Sequence, residues 1–499
     1  MLFSAFLIVS LQSAHQVSSI HPQGYFDKEY CFADADGDGD LDLYCSVFSY
    51  SKRYIDIYYQ DSNLFSASPD LHIALPENVI GWSVGDFLKD EIGSEIIFAA
   101  SRAVYVRQAN GRPVKLVEAE LLIDVPNTYS APYLDWVVDI DNDGLSEMFI
   151  VTHSGYKIID EDGQDIGFIP LSAETSRAPL ASPNLFSGSV RPKISSQELS
   201  QMFIPNEELG IVRFPPSLYL NTSLPRPVWV DINGDKRSDL CYKLENKICV
   251  HLQNEGSFES EPGLIFDLGD NDKVRYRQIE WLDLDGAGTM DLLLVRASQE
   301  VLSQTRPWQI QVFLNPFLNN RSLESPHANY KIQSSMLSVQ ALDVNKDGLM
   351  DICTSNWSLD LGLLGRGSPQ IKHVASAFLA TSKSDPSLNL NQEWSVRPAF
   401  AEKRALNVDS IDSFVFVETF SEDLTGDQRP DFLELSEKGS IRVREFARSP
   451  GGFSVADSFS YDLPIQALEA KVYSKDLNQD GIYDLVIQHA SHIELYLSI

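Results

Sequence analysis

The sequence predicts an all-β fold in which one small unit is repeated around a closed ring. Two observations predict it: an acidic loop recurs along the chain, and the same short apolar strands recur around each copy. The copies begin at Asp34, Asp86, Asp139, Asp231, Asp283, Asp343, Asp423 and Asp476. Four short antiparallel strands per repeat, arranged radially, describe a β-propeller. One loop per unit predicts eight blades of four strands, with seven blades as the alternative.

The third repeat shows the order of the strands most clearly. One strand, 136–138, precedes the acidic loop, and a second, 148–151, follows it directly. A third strand with alternating apolar residues, 156–159, comes after a tight turn, and a weaker fourth strand fits at 166–170. This alternation is typical of β-strands.

The last repeat ends after its third strand, so its fourth strand must come from elsewhere. The segment 20–26, which precedes the first acidic loop, is the predicted source. Such a closure would remove the free sheet edges that otherwise invite aggregation.

Each full copy of the acidic loop places oxygen donors at alternate positions of a nine-residue pattern. Positions 1, 3 and 5 carry Asp or Asn, position 6 is Gly and position 9 is an acid. Such an all-oxygen set suits Ca²⁺, which takes six to eight oxygen ligands. The predicted ligands of the four full copies are Asp34, Asp36, Asp38 and Asp42; Asp139, Asp141, Asp143 and Glu147; Asp343, Asn345, Asp347 and Asp351; and Asp476, Asn478, Asp480 and Asp484.

Three further copies depart from this pattern, and for them an ion site and a plain turn both stay open. Lys236 and Gln428 replace the glycine in two of them, and Ala287 removes the position-5 carboxylate in the third. Their predicted ligands are Asp231, Asn233, Asp235 and Asp239; Asp283, Asp285 and Asp291; and Asp423, Asp427 and Asp431. The copy at Asp86 keeps little beyond Asp90 and Glu95, and is predicted to be a structural turn without an ion.

Composition limits the classes of partner. The chain has 499 residues and a formal net charge of −32, which argues against nucleic acid or an anionic membrane as the main partner. We expect a single domain over residues 20–499, with insertions near 172–208 and 359–372.

The first nineteen residues resemble a secretory signal peptide. A short apolar run is followed by small residues suited to cleavage before Ile20. The alternative is a buried first strand. Export predicts a secreted protein that is extracellular, periplasmic or at the cell surface, and no other run is long enough to predict a transmembrane segment.

The five cysteines offer two candidate disulfides. Cys31 and Cys45 flank the first acidic loop, and Cys241 and Cys249 flank a tight turn, so each pair could meet across a hairpin. Cys353 is left over as a predicted buried thiol. No Cys-x-x-Cys or His/Cys cluster suggests zinc or redox chemistry.

The repeated loop and the apolar strand that follows it resemble the FG-GAP/VCBS repeat family, the Ca²⁺-binding propeller repeats that also build integrin α heads. The resemblance covers nearly all of residues 20–499. It implies structural Ca²⁺ ions in loops between the first and second strands of the blades. It also implies a ligand face at the opposite side, formed in part by second-to-third-strand connections. The longest of these connections carries Trp357 and Arg366, the candidate ligand residues.

The resemblance favours a binding or adhesion module for a glycan or protein, with no catalytic residues predicted. A propeller-based polysaccharide lyase or glycoside hydrolase is one alternative, and a structural component of a surface assembly is another. Non-loop acids, Arg or Lys clustered around the central channel would favour an enzyme, whereas an aromatic-lined face would favour a binding module.

Overall fold

A computed structural model describes most of the chain. The described residues are 15–89, 92–107, 111–122, 129–171, 174–176, 185–190, 220–254, 256–268, 274–298, 305–317, 323, 326–360, 370–383, 393–407, 416–417, 420–435, 440–449, 452–462 and 470–498. These parts contain strands and turns but no α-helix, so none of their segments forms a helix that could span a membrane.

The strands of the first half follow the repeat seen in the sequence. In chain order they are β1 (His15–Ile20), β2 (Tyr25–Ala33), β3 (Asp42–Ser49), β4 (Lys52–Tyr58), β5 (Gln60–Asp61), β6 (Leu64–Phe65), β7 (Leu71–Ala74), β8 (Val79–Gly85), β9 (Glu95–Ala100), β10 (Ala103–Arg107), β11 (Pro113–Glu118), β12 (Val137–Val138), β13 (Glu147–Thr152), β14 (Gly155–Ile159), β15 (Asp165–Pro170), β16 (Glu174–Ser176), β17 (Leu185–Val190), β18 (Leu220–Pro225), β19 (Val228–Val230), β20 (Asp239–Leu244), β21 (Lys247–His251), β22 (Gln253–Asn254), β23 (Ser257–Phe258) and β24 (Leu264–Asp267).

The second half continues in the same way. Its strands are β25 (Val274–Leu282), β26 (Asp291–Ser298), β27 (Arg306–Phe313), β28 (Ala328–Ser334), β29 (Met336–Leu342), β30 (Asp351–Asp360), β31 (Gln370–Lys383), β32 (Glu393–Asn407), β33 (Phe416–Val417), β34 (Phe420–Ser421), β35 (Asp431–Leu435), β36 (Ser440–Ser449), β37 (Gly452–Asp462), β38 (Lys471–Lys475), β39 (Asp484–Gln488) and β40 (Ile493–Ser498).

These strands form an eight-bladed β-propeller, which confirms the predicted fold. The blades are the sheets β2-β3-β4-β7, β8-β9-β10-β11, β12-β13-β14-β15, β19-β20-β21-β24, β25-β26-β27-β28, β29-β30-β31-β32, β34-β35-β36-β37 and β38-β39-β40-β1. Neighbouring strands within every blade are antiparallel, and the first strand of each blade is innermost. The two-residue strand β33 adds to β38 in parallel.

The ring closes through strand β1, at a different place from the one predicted. Residues 15–20 pair with β40 in continuous antiparallel register, from His15 opposite Ser498 to Ile20 opposite Ile493. The predicted closing segment, 20–26, instead contains only the end of this strand and the start of β2. Ile20 is fully buried and Ser18 is 5% exposed. The outer strand of the last blade therefore includes five of the residues assigned to the predicted signal peptide, whose first fourteen residues lie outside the described part of the chain.

The hydrophobic core lies between the blades. Inward-facing residues of neighbouring sheets pack in separate clusters around the ring. One cluster joins the last blade to the first, through Val486 and Leu495 against Leu43 and Val47. Each fully buried aliphatic side chain contributes roughly 1.5–3 kcal/mol, so these contacts hold adjacent blades together.

The two predicted disulfides are absent, because the strand register separates the sulfur atoms. Cys31 lies opposite Tyr44 and Cys45 opposite Tyr30, so the two cysteines are one position out of register and point to opposite faces of the sheet. Cys241 and Cys249 are related in the same way. All five cysteines are free thiols, and Cys353 is buried as predicted.

The structure describes parts of both predicted insertions. Within 172–208 the structure describes β16 and β17, which form a small sheet with β18 outside the blades. Within 359–372 it describes the end of β30 and the start of β31. Strands β30, β31 and β32 are unusually long, which accounts for the wide spacing between the loops at Asp343 and Asp423.

Candidate functional site

Each acidic loop connects the innermost strand of a blade to its second strand, as the resemblance implies. The backbone of the loop is the same in the full and the departing copies. Position 6 has a positive φ in each of them, with Gly39 at 99° and Gly348 at 85°. The non-glycine residues at this position adopt it too, with Lys236 at 69° and Gln428 at 65°. The loop geometry therefore persists where the sequence departs from the pattern.

The acid at position 9, here called the closing acid, is buried and bound to backbone. In the first blade Asp42 is fully buried, and its two oxygens accept hydrogen bonds from the N–H groups of Ala35 at 2.8 Å and Gln60 at 2.8 Å. Asp484 makes the same pair of bonds in the last blade, with Leu477 at 2.7 Å and Ser498 at 2.7 Å. The closing acid thus fastens the loop to the end of the third strand.

The second blade shows that the bond between the closing acid and the loop backbone does not depend on the rest of the pattern. Its degenerate loop lacks most of the predicted ligands, yet Glu95 is buried and accepts hydrogen bonds from the N–H groups of Phe87 at 2.8 Å and Leu88 at 3.2 Å. The closing acid therefore has a structural role of its own. Sequence analysis assigned it to the metal shell alone.

In three blades the loop carboxylates, closing acids included, bring oxygens together in an arrangement that suits a cation. In the first, third and fifth blades, three acids of the loop each bring an oxygen within 4.8 Å of the others: Asp34, Asp36 and Asp38; Asp139, Asp141 and Glu147; Asp283, Asp285 and Asp291. Oδ1 of Asp139, Oδ2 of Asp285 and Oδ1 of Asp476 are buried and make no hydrogen bond. A buried oxygen without a donor is unfavourable, and a hard cation would satisfy it.

In the fourth and seventh blades the position-1 acids are held by the loop backbone. Oδ1 of Asp231 accepts hydrogen bonds from the N–H groups of Gly234 at 2.7 Å and Asp235 at 3.1 Å, and Oδ2 accepts one from Lys236 at 2.6 Å. Asp423 is bound similarly by the N–H groups of four following residues. These two loops retain their shape through hydrogen bonds.

Burial affects the ionisation of the closing acids. It raises the pKa of Asp42 to about 6, of Asp291 to about 7 and of Asp431 to about 8. Backbone hydrogen bonds oppose these shifts, and neighbouring loop carboxylates add to them. A divalent ion in the loop would offset the repulsion among these carboxylates.

Hydrogen bonds link six pairs of successive loops on one face of the ring. The N–H group before a closing acid donates to a carbonyl in the preceding loop: Ser94 to Asp34 (2.7 Å), Ser146 to Asp86 (2.6 Å), Ser238 to Ile140 (3.0 Å), Met350 to Leu284 (3.0 Å), Tyr483 to Asp423 (2.7 Å) and Leu41 to Leu477 (2.9 Å). The seventh blade has Pro430 at this position, which has no N–H group. The acidic loops are therefore parts of the scaffold as well as candidate ion sites.

A cavity of about 1020 Å³ lies at the centre of the ring, among the innermost strands. Its lining is contributed by several blades: Lys28, Tyr30, Cys31, Phe32, Tyr133, Leu134, Asp135, Arg226, Met336, Leu337, Ser338, Ser355, Trp357, Lys471, Val472, Tyr473, Lys475 and Gln488. Met336 begins its inner strand and Gln488 ends a second strand, so the cavity reaches the ends of the strands opposite the acidic loops.

The charge of this central cavity is opposite to that of the chain. Among its described lining residues are four basic side chains and one acid, Asp135, whose Oδ2 lies 2.5 Å from the guanidinium of Arg226. Lys475 Nζ lies 5.5 Å from the centre of the Phe32 ring, and burial lowers the pKa of this lysine. In a chain with a net charge of −32, this is a local basic region.

Aromatic side chains share the central cavity with these cations. The hydroxyls of Tyr30 and Tyr473, from the first and last blades, are 2.6 Å apart. Trp357 is half-buried, lines the cavity, and stacks on His373 of the adjacent strand at 3.8 Å between ring centres. Arg366, the second predicted ligand residue, lies outside the described residues.

Sequence reasoning missed the rest of the cavity lining because its members are distant in the chain. Lys28 and Lys471 come from opposite ends of the sequence, and only ring closure brings them together. The sequence signal for these two lysines was their position on the first strand of a repeat, because that strand is innermost in a propeller.

Comparisons with known proteins give little beyond these observations. No protein-family model and no curated protein matches the sequence. Among solved structures, the chain is similar to the WD40 domain of SCAP from fission yeast, at 10% identity and a TM-score of 0.39 over 99% of this chain and 97% of that one. It is similar to the Dos1 propeller, at 9% identity and a TM-score of 0.41 over 96% and 94%. A duf4221 family member from Bacteroides vulgatus gives 9% identity and a TM-score of 0.24 over 79% and 98%.

Proposed function

We propose that this protein is a calcium-stabilised binding module whose central cavity binds an acidic glycan. The observation that carries the proposal is the concentration of basic and aromatic side chains in the central cavity of a strongly acidic chain. Ammonium and guanidinium groups pair with carboxylate or sulfate groups. Aromatic rings supply flat apolar surfaces against which sugar rings can pack.

The same residues suggest a second candidate, a polysaccharide lyase. A lyase that acts on uronate polymers needs a cation beside the substrate carboxylate and a base that removes the neighbouring proton. The paired hydroxyls of Tyr30 and Tyr473, in a cavity that also contains basic residues, resemble such a set. Burial raises the pKa of Tyr30 to about 12, however, which disfavours the tyrosinate that would act as base. This favours binding over catalysis.

A glycoside hydrolase is less well supported. Such enzymes generally use two carboxyl groups that flank the scissile bond. Among the described residues that line the cavity, Asp135 supplies the single carboxyl group, and it is paired with Arg226.

A polysaccharide panel separates the two candidates. We expect uronate-containing or sulfated polymers to bind in the presence of Ca²⁺, and neutral polymers of equal length to bind at least tenfold more weakly. A binding module leaves the polymer intact, whereas a lyase produces the ultraviolet absorbance of an unsaturated uronate. Equal affinity for neutral and acidic polymers would contradict the proposal.

A charge reversal locates the binding site. Lys471 is exposed and lines the cavity, so Lys471→Glu should weaken binding of the acidic polymer about tenfold or more. Lys331 is also exposed but lies on an outer strand, so Lys331→Glu is the matched control and should bind normally. Equal losses in the two variants would mean that only the overall charge matters.

The structural role of calcium is tested separately. Ion binding to the folded state alone raises stability with the concentration of free ion. We expect the melting temperature to fall when bound metal is removed with a chelator and to recover with added Ca²⁺. A melting curve that does not change after verified metal removal would count against the calcium sites while leaving the glycan site untouched.

A further inference from the structure

A cluster of histidines lies in the last blade, on the side of the ring opposite the acidic loops. His489 and His492 flank the tight turn between β39 and β40, and Glu494 follows on β40. The N–H group of His489 donates to the carbonyl of His492 at 2.9 Å, which closes the turn. One donor atom from each of these three side chains lies within 4.8 Å of the others.

The two imidazoles face the same carboxylate. Nε2 of His489 lies 3.5 Å from Oε2 of Glu494, and Nε2 of His492 lies 3.6 Å from Oε1. Two ligands of a tetrahedral Zn²⁺ ion, each bound at 2.0–2.1 Å, are about 3.3–3.4 Å apart. Each imidazole-to-carboxylate distance is therefore within a few tenths of an ångström of the ligand spacing in such a site, and the third donor pair lies within 4.8 Å.

The more buried histidine of the pair has a ring nitrogen without a hydrogen-bond partner. His489 is 5% exposed, and its Nε2 is buried and makes no hydrogen bond. A buried polar nitrogen without a partner is unfavourable. Because this nitrogen faces the carboxylate at slightly more than hydrogen-bond distance, an ion between them would satisfy both groups.

A tyrosine and a third histidine pack against these three side chains. The hydroxyl of Tyr496 donates to Oε2 of Glu494 at 3.2 Å and orients the carboxylate. The rings of His489 and His492 stack at 4.1 Å, and His21 stacks on His492 at 4.7 Å.

We propose that His489, His492 and Glu494 form a binding site for a transition-metal ion of the Zn²⁺ class. Two imidazole nitrogens and one carboxylate oxygen suit such a borderline ion better than Ca²⁺, which prefers oxygen ligands alone. The site is therefore chemically distinct from the acidic loops. The sequence signal of this site is the spacing His-x-x-His-x-Glu, which sequence analysis did not single out.

The position of this site gives it a structural consequence. His489 and His492 belong to the hairpin β39–β40, and His21 directly follows β1, the strand that closes the ring. An ion that holds the hairpin turn rigid would also support the surface against which His21 packs. Zn²⁺ should therefore stabilise the closed ring.

The test is a Zn²⁺ titration of the untagged full chain in saturating Ca²⁺, so that the acidic loops are filled. We expect the unmodified chain to bind one more equivalent of Zn²⁺ than His492→Ala or Glu494→Gln, or to bind Zn²⁺ at least tenfold more tightly than these variants. Both altered side chains are partly exposed, which limits the effect on folding. Circular dichroism and melting in Ca²⁺ alone check that the variants fold.

His153→Ala is the matched control, because His153 is exposed and lies in the equivalent turn of the third blade. It should bind Zn²⁺ like the unmodified chain. Co²⁺ provides a second readout, since its tetrahedral complexes absorb strongly in visible light, and this absorption should disappear in His492→Ala. The proposal is overturned if stoichiometry, affinity and the Co²⁺ spectrum are the same in the unmodified chain and in both site variants.

Discussion

At position 6 of the acidic loop, two residues other than glycine adopt a positive φ. Lys236 and Gln428 have φ values near 65–69°, a region that side chains other than glycine adopt at a cost. The loops keep their shape because the closing acid and the position-1 acid hold them through backbone hydrogen bonds.

Replacing Lys236 with glycine should therefore stabilise the protein. Glycine removes the steric cost of the positive φ but gives the unfolded chain more backbone freedom, which opposes the gain. We expect the net effect of Lys236→Gly to be a rise of about 0.5–1 kcal/mol in the free energy of unfolding. Denaturant unfolding measures the change. Lys247→Gly is the control, since Lys247 is exposed at the start of a strand and is not among the positive-φ residues, so it should destabilise. Destabilisation by both would show that the loop is not strained.

Replacing the closing acid and replacing the position-1 acid should change the response of the protein to calcium in different ways. In the last blade, Asp484 is fully buried with both oxygens bonded to N–H groups, whereas Oδ1 of Asp476 is unpartnered. Asp484→Asn places an amide NH₂ against a backbone donor and should cost about 3 kcal/mol, with or without Ca²⁺. Asp476→Asn should leave the melting temperature in chelator unchanged and reduce the gain on adding Ca²⁺. The reverse pattern would assign the ion to the closing acid alone.

Asp27 should contribute a pH dependence that is independent of the acidic loops. It lies in the bulge of β2 and accepts a hydrogen bond from the hydroxyl of Ser46 at 2.8 Å. Burial raises its pKa from 3.8 to about 6, so the folded chain binds this proton more tightly than the unfolded chain does. The stabilising effect of protonation is complete below the unfolded pKa and is lost as the pH rises through about 6.

Replacing this carboxyl group should remove part of the pH dependence. Asp27→Asn should reduce the loss of stability between pH 4 and pH 7 by on the order of 2 kcal/mol. Melting curves of the variant and the parent chain at both pH values measure it, with chelator present throughout so that ion binding does not contribute. Parallel pH profiles would mean that Asp27 has an ordinary pKa in the folded protein.

At the scale of the element, the sequence predicted the blade well and its edges less well. The order of the strands within a blade could be inferred because the acidic loop marks the boundary between the first two strands. The disulfides could not be excluded from the sequence, because a one-residue offset in register decides whether two cysteines share a face. The closing strand was misplaced because residues 15–19 also suit a signal peptide.

All of strand β1 should be needed for the full stability of the protein. Phe65 donates its N–H group to the hydroxyl of Ser18 at 3.0 Å, so β1 contacts the first blade as well as β40. A chain that begins at His15 should melt like the full chain, whereas one that begins at Ile20 should melt several degrees lower. Equal melting temperatures would show that residues 15–19 are dispensable, which would agree with cleavage before Ile20.

At the scale of the molecule, the ring has two chemically different faces. Acidic loops lie at one end of the inner strands, and the basic central cavity extends to the other end. The first face could be predicted because its motif is local and repeated. The cavity could not, because Tyr30 and Tyr473 meet only when the two ends of the chain are brought together.

The pairing of β1 with β40 has a consequence for biosynthesis. Strand β1 is made before the first blade, and its partner β40 is made only after the other seven blades. Because synthesis starts at the N-terminus, β1 must stay unpaired while the intervening blades form. Until β40 is available, β1 remains open to chaperones or to a neighbouring nascent chain.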